Sequence, residues 1–376
     1  MTKILVAPGA FKGSVSAKQA STAIAKGLLY KDPSLEIIEL PVSDGGNDFV
    51  EVLLHTLSGE ELFARVRDPL GHEVRAKWGW CKGELAVIEM AEASGLHLLS
   101  PDALNPLKAS SFGTGQLLVE ALNKGAKKIL LGIGGSATVD GGVGALQALG
   151  VRFLNQKGVV VNPYEVNLSE VQQVDLQGLD PRLKEISLEI ACDVSNPLIG
   201  EQGAAKVFAP QKGATNKQVE MLEEGLSHWA ELLEKATGKD ITKLPGGGAA
   251  GGIAAGFVAC LEATLSNGID LVLDAFAFDT IVQQVDWVIT GEGSLDRQSL
   301  KGKTPVGVAR RAKQFEKKVV ALAGSVEQTI ALNQYFDAVF SIVPGPCTLE
   351  DALSFTERNL SFASGQLACF LSSMKK

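Results

Sequence analysis

The stretch ILVAPGAFKGSVSAKQASTAIAKGLLYKDPSLEIIELPVSDGG, residues 4–46, decides the fold class. Ile4 to Val6 reads as a buried strand, and a loop through Gly13 leads into a helix on which Ala20, Ile24 and Leu28 share one face. Ser16 with Gln19 three residues on is a capping box, so the helix has a defined start. EIIELPV is a second strand, stopped by the turn-forming SDGG, and FVEVLLHTL (49–57) resumes a helical pattern.

The same strand, loop and helix grammar returns near the C-terminus, in VDWVIT (285–290), KKVVALAG (317–324) and DAVFSIVPG (337–345). Two strands from the start and three from the end predict a five-stranded, doubly wound parallel sheet, a flavodoxin-like α/β fold. The boundaries expected are 1–68 and 285–376 for this discontinuous domain, with 69–284 as an inserted α+β domain. Inside the insertion, EVRAKWGW and ELAVIEM flank Cys81-Lys82-Gly83 as a hairpin, and RFLN and GVVV flank Gln156-Lys157 as another. KKILLGI and ISLEIACDV read as interior strands, while Val219, Leu222, Leu226, Trp229 and Leu233 form one stripe of a helix over 216–237.

A length of 376 residues agrees with two domains. The net charge of -8 opposes nucleic acid or an anionic membrane as partner, since both require a basic footprint. The five cysteines are odd in number and widely spaced, which reads as reduced thiols in a cytosol. With neither a leader nor a membrane-length apolar run read, a cytoplasmic location is expected.

Glycine and aspartate gather in loops after strands, where open α/β sheets bind ligands. These are SDGG (43–46), GIGGSATVDGG (132–142), CDVSNP (192–197) and GEGSLDRQ (291–298). Phosphate needs backbone N–H groups that approach closely, which glycine permits. Gly134, Gly135, Ser136, Thr138 and Asp140, or Gly246, Gly247 and Gly248 in LPGGGAAGG, are the candidates for cradling phosphates, with close packing by small residues the alternative for the second loop. Metal-assisted phosphoryl transfer also needs carboxylates for Mg²⁺ and a cation at the transferred group. Asp44, Asp140, Asp193, Glu292 and Asp296 supply the carboxylates, and Lys12 in FKGS is the cation.

KGKT (301–304) lacks the first glycine of a Walker A loop, Arg297 standing in its place. Gly132, Gly134 and Ala137 give a dinucleotide-type fingerprint without the acidic residue that holds a ribose, leaving a nicotinamide-dependent oxidoreductase as a rival reading. A non-catalytic sugar-acid sensor is the other. The four histidines have no zinc spacing.

Assembled in order, APGAFKGSVSA, PVSDGG, EMAEASGL, SSFGTGQL, GIGGSATVDGG, CDVSNPLIGEQGAA, FAPQKGA, GGGAAGG and ITGEGSLDRQS resemble the type I glycerate kinase (bacterial glycerate 2-kinase) family. The resemblance implies ATP- and Mg²⁺-dependent phosphorylation of D-glycerate, with 2-phosphoglycerate as product. It also implies a flavodoxin-like domain joined to an inserted domain similar to restriction endonucleases, with substrate between them. Within that frame Lys12, Asp193 and Asp44 are the catalytic candidates. Ser14, Asp44, Gly45, Gly46, Asp296 and Arg297 are expected at the substrate, and Asp193 and Asp296 at the metal. Partners are then D-glycerate and ATP, with homo-oligomer formation left open. The family usually reads P-D-S-F-K-G where this chain has Gly9 and Ala10, and it differs again at Asn47 to Phe49 and at Val139.

Overall fold

The computed structural model describes residues 2–46, 48–164, 167–297, 299–327 and 330–373. Asn47 and Gln298, which fall in the motifs above, lie outside them. In chain order the strands are β1 (Lys3–Val6), β2 (Glu36–Glu39), β3 (Glu60–Arg67), β4 (Glu73–Cys81), β5 (Leu85–Glu89), β6 (Lys128–Gly132), β7 (Arg152–Asn155), β8 (Val171–Asp175), β9 (Ser187–Ala191), β10 (Thr264–Ser266), β11 (Trp287–Leu295), β12 (Lys318–Val326) and β13 (Ala338–Ser341).

Two units emerge, one holding residues 1–44, 51–56 and 267–376, the other 45–50 and 57–266. In the first, β2-β1-β11-β12-β13 form a wholly parallel sheet. This is the 2-1-3-4-5 order of flavodoxin-like sheets, assembled from the two initial and three final strands. Ile4, Val6, Ile289, Val320 and Leu322 pack with Ile24 and Leu28 of the helix Ala17–Lys31 and with Leu360 and Leu367 of the helix Thr356–Ser373. Ser16 caps the first of these helices reciprocally: the Gln19 N–H donates to Ser16 Oγ at 3.3 Å and the Ser16 N–H to Gln19 Oε1 at 2.8 Å.

The second unit carries a six-stranded sheet in the order β10-β9-β6-β5-β4-β3. β10, β9, β6 and β5 run parallel, and β4 and β3 complete it antiparallel. The parallel strands all end on one side, at Glu89, Gly132, Ala191 and Ser266. The helix Asn216–Thr237 buries Val219, Leu222, Leu226, Trp229 and Leu233, the stripe its 3.6-residue period requires. Trp229 packs edge-on against Phe153 with 5.0 Å between ring centres. Truncating so large a buried residue costs about 3–5 kcal/mol.

The units differ from the expected insertion of 69–284 at both edges. Strand β3 pairs along its whole length with β4, so it belongs to the six-stranded sheet. At the other edge Arg310 holds Asp270, and Arg311 holds Asp274 and Asp279, at 2.6 Å each, which ties residues after 267 to the first unit. The hairpin expected across Gln156-Lys157 forms as a short one, with an antiparallel bridge between Leu154 and Val160 and the Asn155 N–H donating to the Val159 carbonyl and the Val161 N–H to the Phe153 carbonyl at 2.9 Å each, while β7 pairs on with β8.

Candidate active site

At the carboxyl ends of the five-stranded sheet lies a cavity of about 740 Å³, walled by Phe11, Lys12, Ser14, Glu292, Lys303 and Ser325 among others. The Gly9 N–H donates to the Gly291 carbonyl at 2.9 Å, which lays the FKGS loop along β11 and brings Lys12 to the cavity. Lys12 is exposed, and Ser14 Oγ donates to the Leu353 carbonyl at 2.5 Å, fixing the loop's far side.

Burial pushes the Glu292 carboxyl up to about 7, assisted by the charges of Asp44 and Asp296 and opposed by Ser299 and Lys303. A carboxyl near neutrality in a cavity with two lysines is the arrangement in which proton transfer and charge stabilisation are combined. Asp296 lies beside this cluster, its Oδ1 accepting the Ser299 N–H at 3.0 Å as a turn cap. Arg297 stands 2.9 Å from Glu327 on the surface, its side chain 81% exposed. Asp44 is half-buried in the same unit.

The second unit gathers its loops at the carboxyl ends of β5, β6 and β9. Gly45 and Gly46 lie over these ends: Gly45 has φ +89°, and a Cβ there would stand 2.4 Å from Ala191 Cβ, so the loop requires glycine. Residues 135–137 are strapped to 94–96 by two backbone bonds, Leu96 N–H to Gly135 at 2.9 Å and Ala137 N–H to Ser94 at 2.9 Å. Gly134 and Gly135 are exposed, and among the described residues neither N–H has a backbone acceptor. These two amides are therefore open to an anionic oxygen.

Beneath them the loop is polar and buried. Asp140 accepts from the Ser111 N–H (2.9 Å), Ser111 Oγ (2.7 Å), the Gly142 N–H (3.1 Å) and the Gly144 N–H (3.2 Å). With its oxygens so engaged, Asp140 holds the loop's shape, and direct contact with a nucleotide or metal is not its evident work. Thr138 is likewise buried. Gly246, Gly247 and Gly248 are buried too, with Gly247 N–H on the Leu244 carbonyl (2.9 Å) and Gly248 N–H on Asn196 (3.0 Å). That geometry favours close packing against CDVSNP over anion binding. Asp193, just beyond β9, is exposed.

Three groups escaped the sequence reading. Lys212 is a buried lysine within FAPQKGA, a motif visible as a resemblance without any sign of where its cation would lie. Lys303 lines the first cavity from a segment read only as a failed Walker tail. Glu89, at the end of β5, has a carboxyl pushed up to about 7, chiefly by burial, while the Val50 N–H donates to it at 2.7 Å.

Glycine-rich loops, buried lysine and near-neutral carboxyls at the carboxyl ends of parallel strands are the equipment of an α/β enzyme for small anionic ligands. The family model described as the glycerate kinase family matches residues 4–372. A glycerate kinase of Halalkalibacterium halodurans is 44% identical over 98% of both chains, and a glycerate 2-kinase of Escherichia coli is 42% identical, again over 98% of both. The crystal structure of a protein assigned as glycerate kinase 2 from Salmonella typhimurium LT2 superposes with a TM-score of 0.91 at 41% identity, covering 100% of this chain and 99% of that one. The chain belongs to the glycerate kinase family, and it is a kinase. The oxidoreductase and sensor readings fall with that finding. Among the described residues no helix is long and apolar enough to cross a membrane.

Proposed function

We propose that the protein transfers the γ-phosphoryl group of ATP, accompanied by Mg²⁺, to the 2-hydroxyl of D-glycerate in the cytoplasm, yielding 2-phosphoglycerate. The observation that carries this reading is one cavity lined by two lysines, Lys12 and Lys303, and the near-neutral Glu292. Phosphoryl transfer is governed by positioning and by cations that meet the charge on the transferred group. Lys12 stabilises that charge. Asp193 accepts or orients the proton of the acceptor hydroxyl, and Gly134, Gly135 and Ser136 hold anionic oxygens. Asp44, Ser14, Gly45 and Gly46 are the proposed substrate contacts, while Arg297, paired with Glu327, is left out of the set. The choice of position 2 draws support from the name of the Escherichia coli relative.

Among the described residues no group of three or more His, Cys, Asp or Glu could cage a metal. Magnesium that arrives on a nucleotide keeps several waters and takes only one or two protein carboxylates, a mode that Asp193 or Asp296 fits. Bound so, the ion would offset phosphate charge. The architecture proposed with this function is a flavodoxin-like unit from both chain ends and an inserted restriction-endonuclease-like unit, for which the mixed six-stranded sheet is the support. Turnover with ATP, Mg²⁺ and D-glycerate, with the product read by phosphorus NMR, tests the function. A product phosphorylated at carbon 3, or none, would refute it.

A further inference from the structure

Lys212 sits under the loop 132–142 and is 2% exposed. Its Nζ donates to Ser136 Oγ at 2.9 Å and to the Thr138 carbonyl at 2.7 Å, contacts that span 76 and 74 residues of chain. An ammonium carries three donors, so among the described residues one remains beyond these two. The charged group that acts on it from the surrounding elements is Asp140, whose carboxylate is already engaged by Ser111, Gly142 and Gly144. Lys206, on the helix that precedes it, pairs with Glu201 at the surface instead. In the same loop Thr138 Oγ1 is buried and, among the described residues, has no hydrogen-bond partner.

A buried cation without a hydrogen-bonded carboxylate, next to an unsatisfied hydroxyl, is an incomplete polar cluster. Burial pushes the Lys212 amine down to about 7, with Asp140 acting in the opposite direction. Gly134 and Gly135, whose amides have no backbone acceptor among the described residues, immediately precede Ser136, whose Oγ accepts from Lys212.

We propose that Lys212 is a positioning residue for this loop, and that its ammonium supplies the buried counter-charge which an anionic oxygen on the Gly134–Ser136 amides completes. The inference rests on the reading of that loop as the anion-binding element. The anion is either a phosphate of ATP or the carboxylate of the acid, and both present the same chemistry. Because the anion favours the charged amine, its binding draws a proton onto Lys212 near neutral pH.

Calorimetric titration of the full chain at pH 7.5, in two buffers of different ionisation enthalpy, tests this with Mg-ATP and with D-glycerate separately. For the wild type, one of the two ligands is expected to bind with net proton uptake, and that ligand identifies the source of the anion. Lys212→Met should bind it at least tenfold more weakly and without uptake. Lys212→Arg, whose charge is permanent, should keep affinity while losing the uptake. If the methionine variant fails to fold, Ser136→Ala, which removes one acceptor of the ammonium, should weaken the same ligand and reduce the uptake. A wild type that turns over but binds both ligands without proton exchange overturns the inference and leaves the functional reading standing. So does a methionine variant with lower melting temperature but unchanged affinity and pH profile, the signature of a merely structural lysine. A wild type that binds neither ligand overturns both.

Discussion

Ser299 Oγ stands 2.6 Å from Glu292 Oε1 at the end of β11, and the same hydroxyl lies 3.4 Å from Asp296 Oδ1. The serine thus restrains a carboxyl that burial has already pushed up to about 7. Ser299→Ala removes a donor to the ionised form, so Glu292 should titrate higher still. A hydrogen bond to a charged group is worth about 1.5–3 kcal/mol, enough to move the acidic limb of the kcat/KM profile upward on the order of one pH unit. An unmoved limb would show that ionisation of Glu292 does not govern turnover.

Lys12→Ala should leave the fold intact, because the residue is exposed on a loop fixed by the backbone bond from Gly9 to Gly291. Loss of a cation at the transferred phosphoryl is expected to lower kcat roughly a hundredfold or more. Steady-state kinetics beside a thermal melt check both halves. Unchanged turnover would make Lys12 an ordinary solvated lysine.

Asp193→Asn is nearly isosteric and sits on an exposed turn after β9. As proton acceptor, Asp193 should be worth about 10²- to 10⁴-fold in kcat, with nucleotide affinity unchanged. If it ligates the metal of Mg-ATP, affinity should fall together with kcat. Near-normal kinetics would remove it from the catalytic set, and nucleotide titration separates the remaining two cases.

Glu89 links stability to pH. Its carboxyl is raised from 4.5 to about 7 in the folded chain, so its contribution is fully present below about 4.5 and is lost as pH rises through about 7. Over 2.5 pH units at 1.36 kcal/mol each, the swing is at most about 3 kcal/mol. Glu89→Gln should abolish this part of the dependence, so that urea midpoints at pH 5 and pH 8 lie closer together than in the wild type. Equal differences in both proteins would place the titration elsewhere.

The fold of the first unit was largely legible because its signals are local. The spacing of Ala20, Ile24 and Leu28, the Ser16 and Gln19 cap, and the three C-terminal strand runs each depend on a few neighbouring residues. The family was legible for a related reason, since its signal is nine short glycine-bearing motifs standing in order along the chain. The edges of the second unit were not, because β3 is defined only by its partner β4, and residues 268–282 by arginines some thirty to forty residues later.

What the sequence by itself determined is therefore the five strands of the first sheet, the helix capped by Ser16 and Gln19, the glycine loops and the resemblance to the kinase family. Only the tertiary structure decided which members of those loops face outward. It turned Gly134 and Gly135 toward solvent, packed Gly246 to Gly248 against residues 192–197, and bound Asp140 into the frame. It also buried Lys212 beneath a loop more than seventy residues away in the chain. Charge state follows from such placement, since desolvation and the neighbours that offset it are properties of the assembled interior and are absent from any local run of residues.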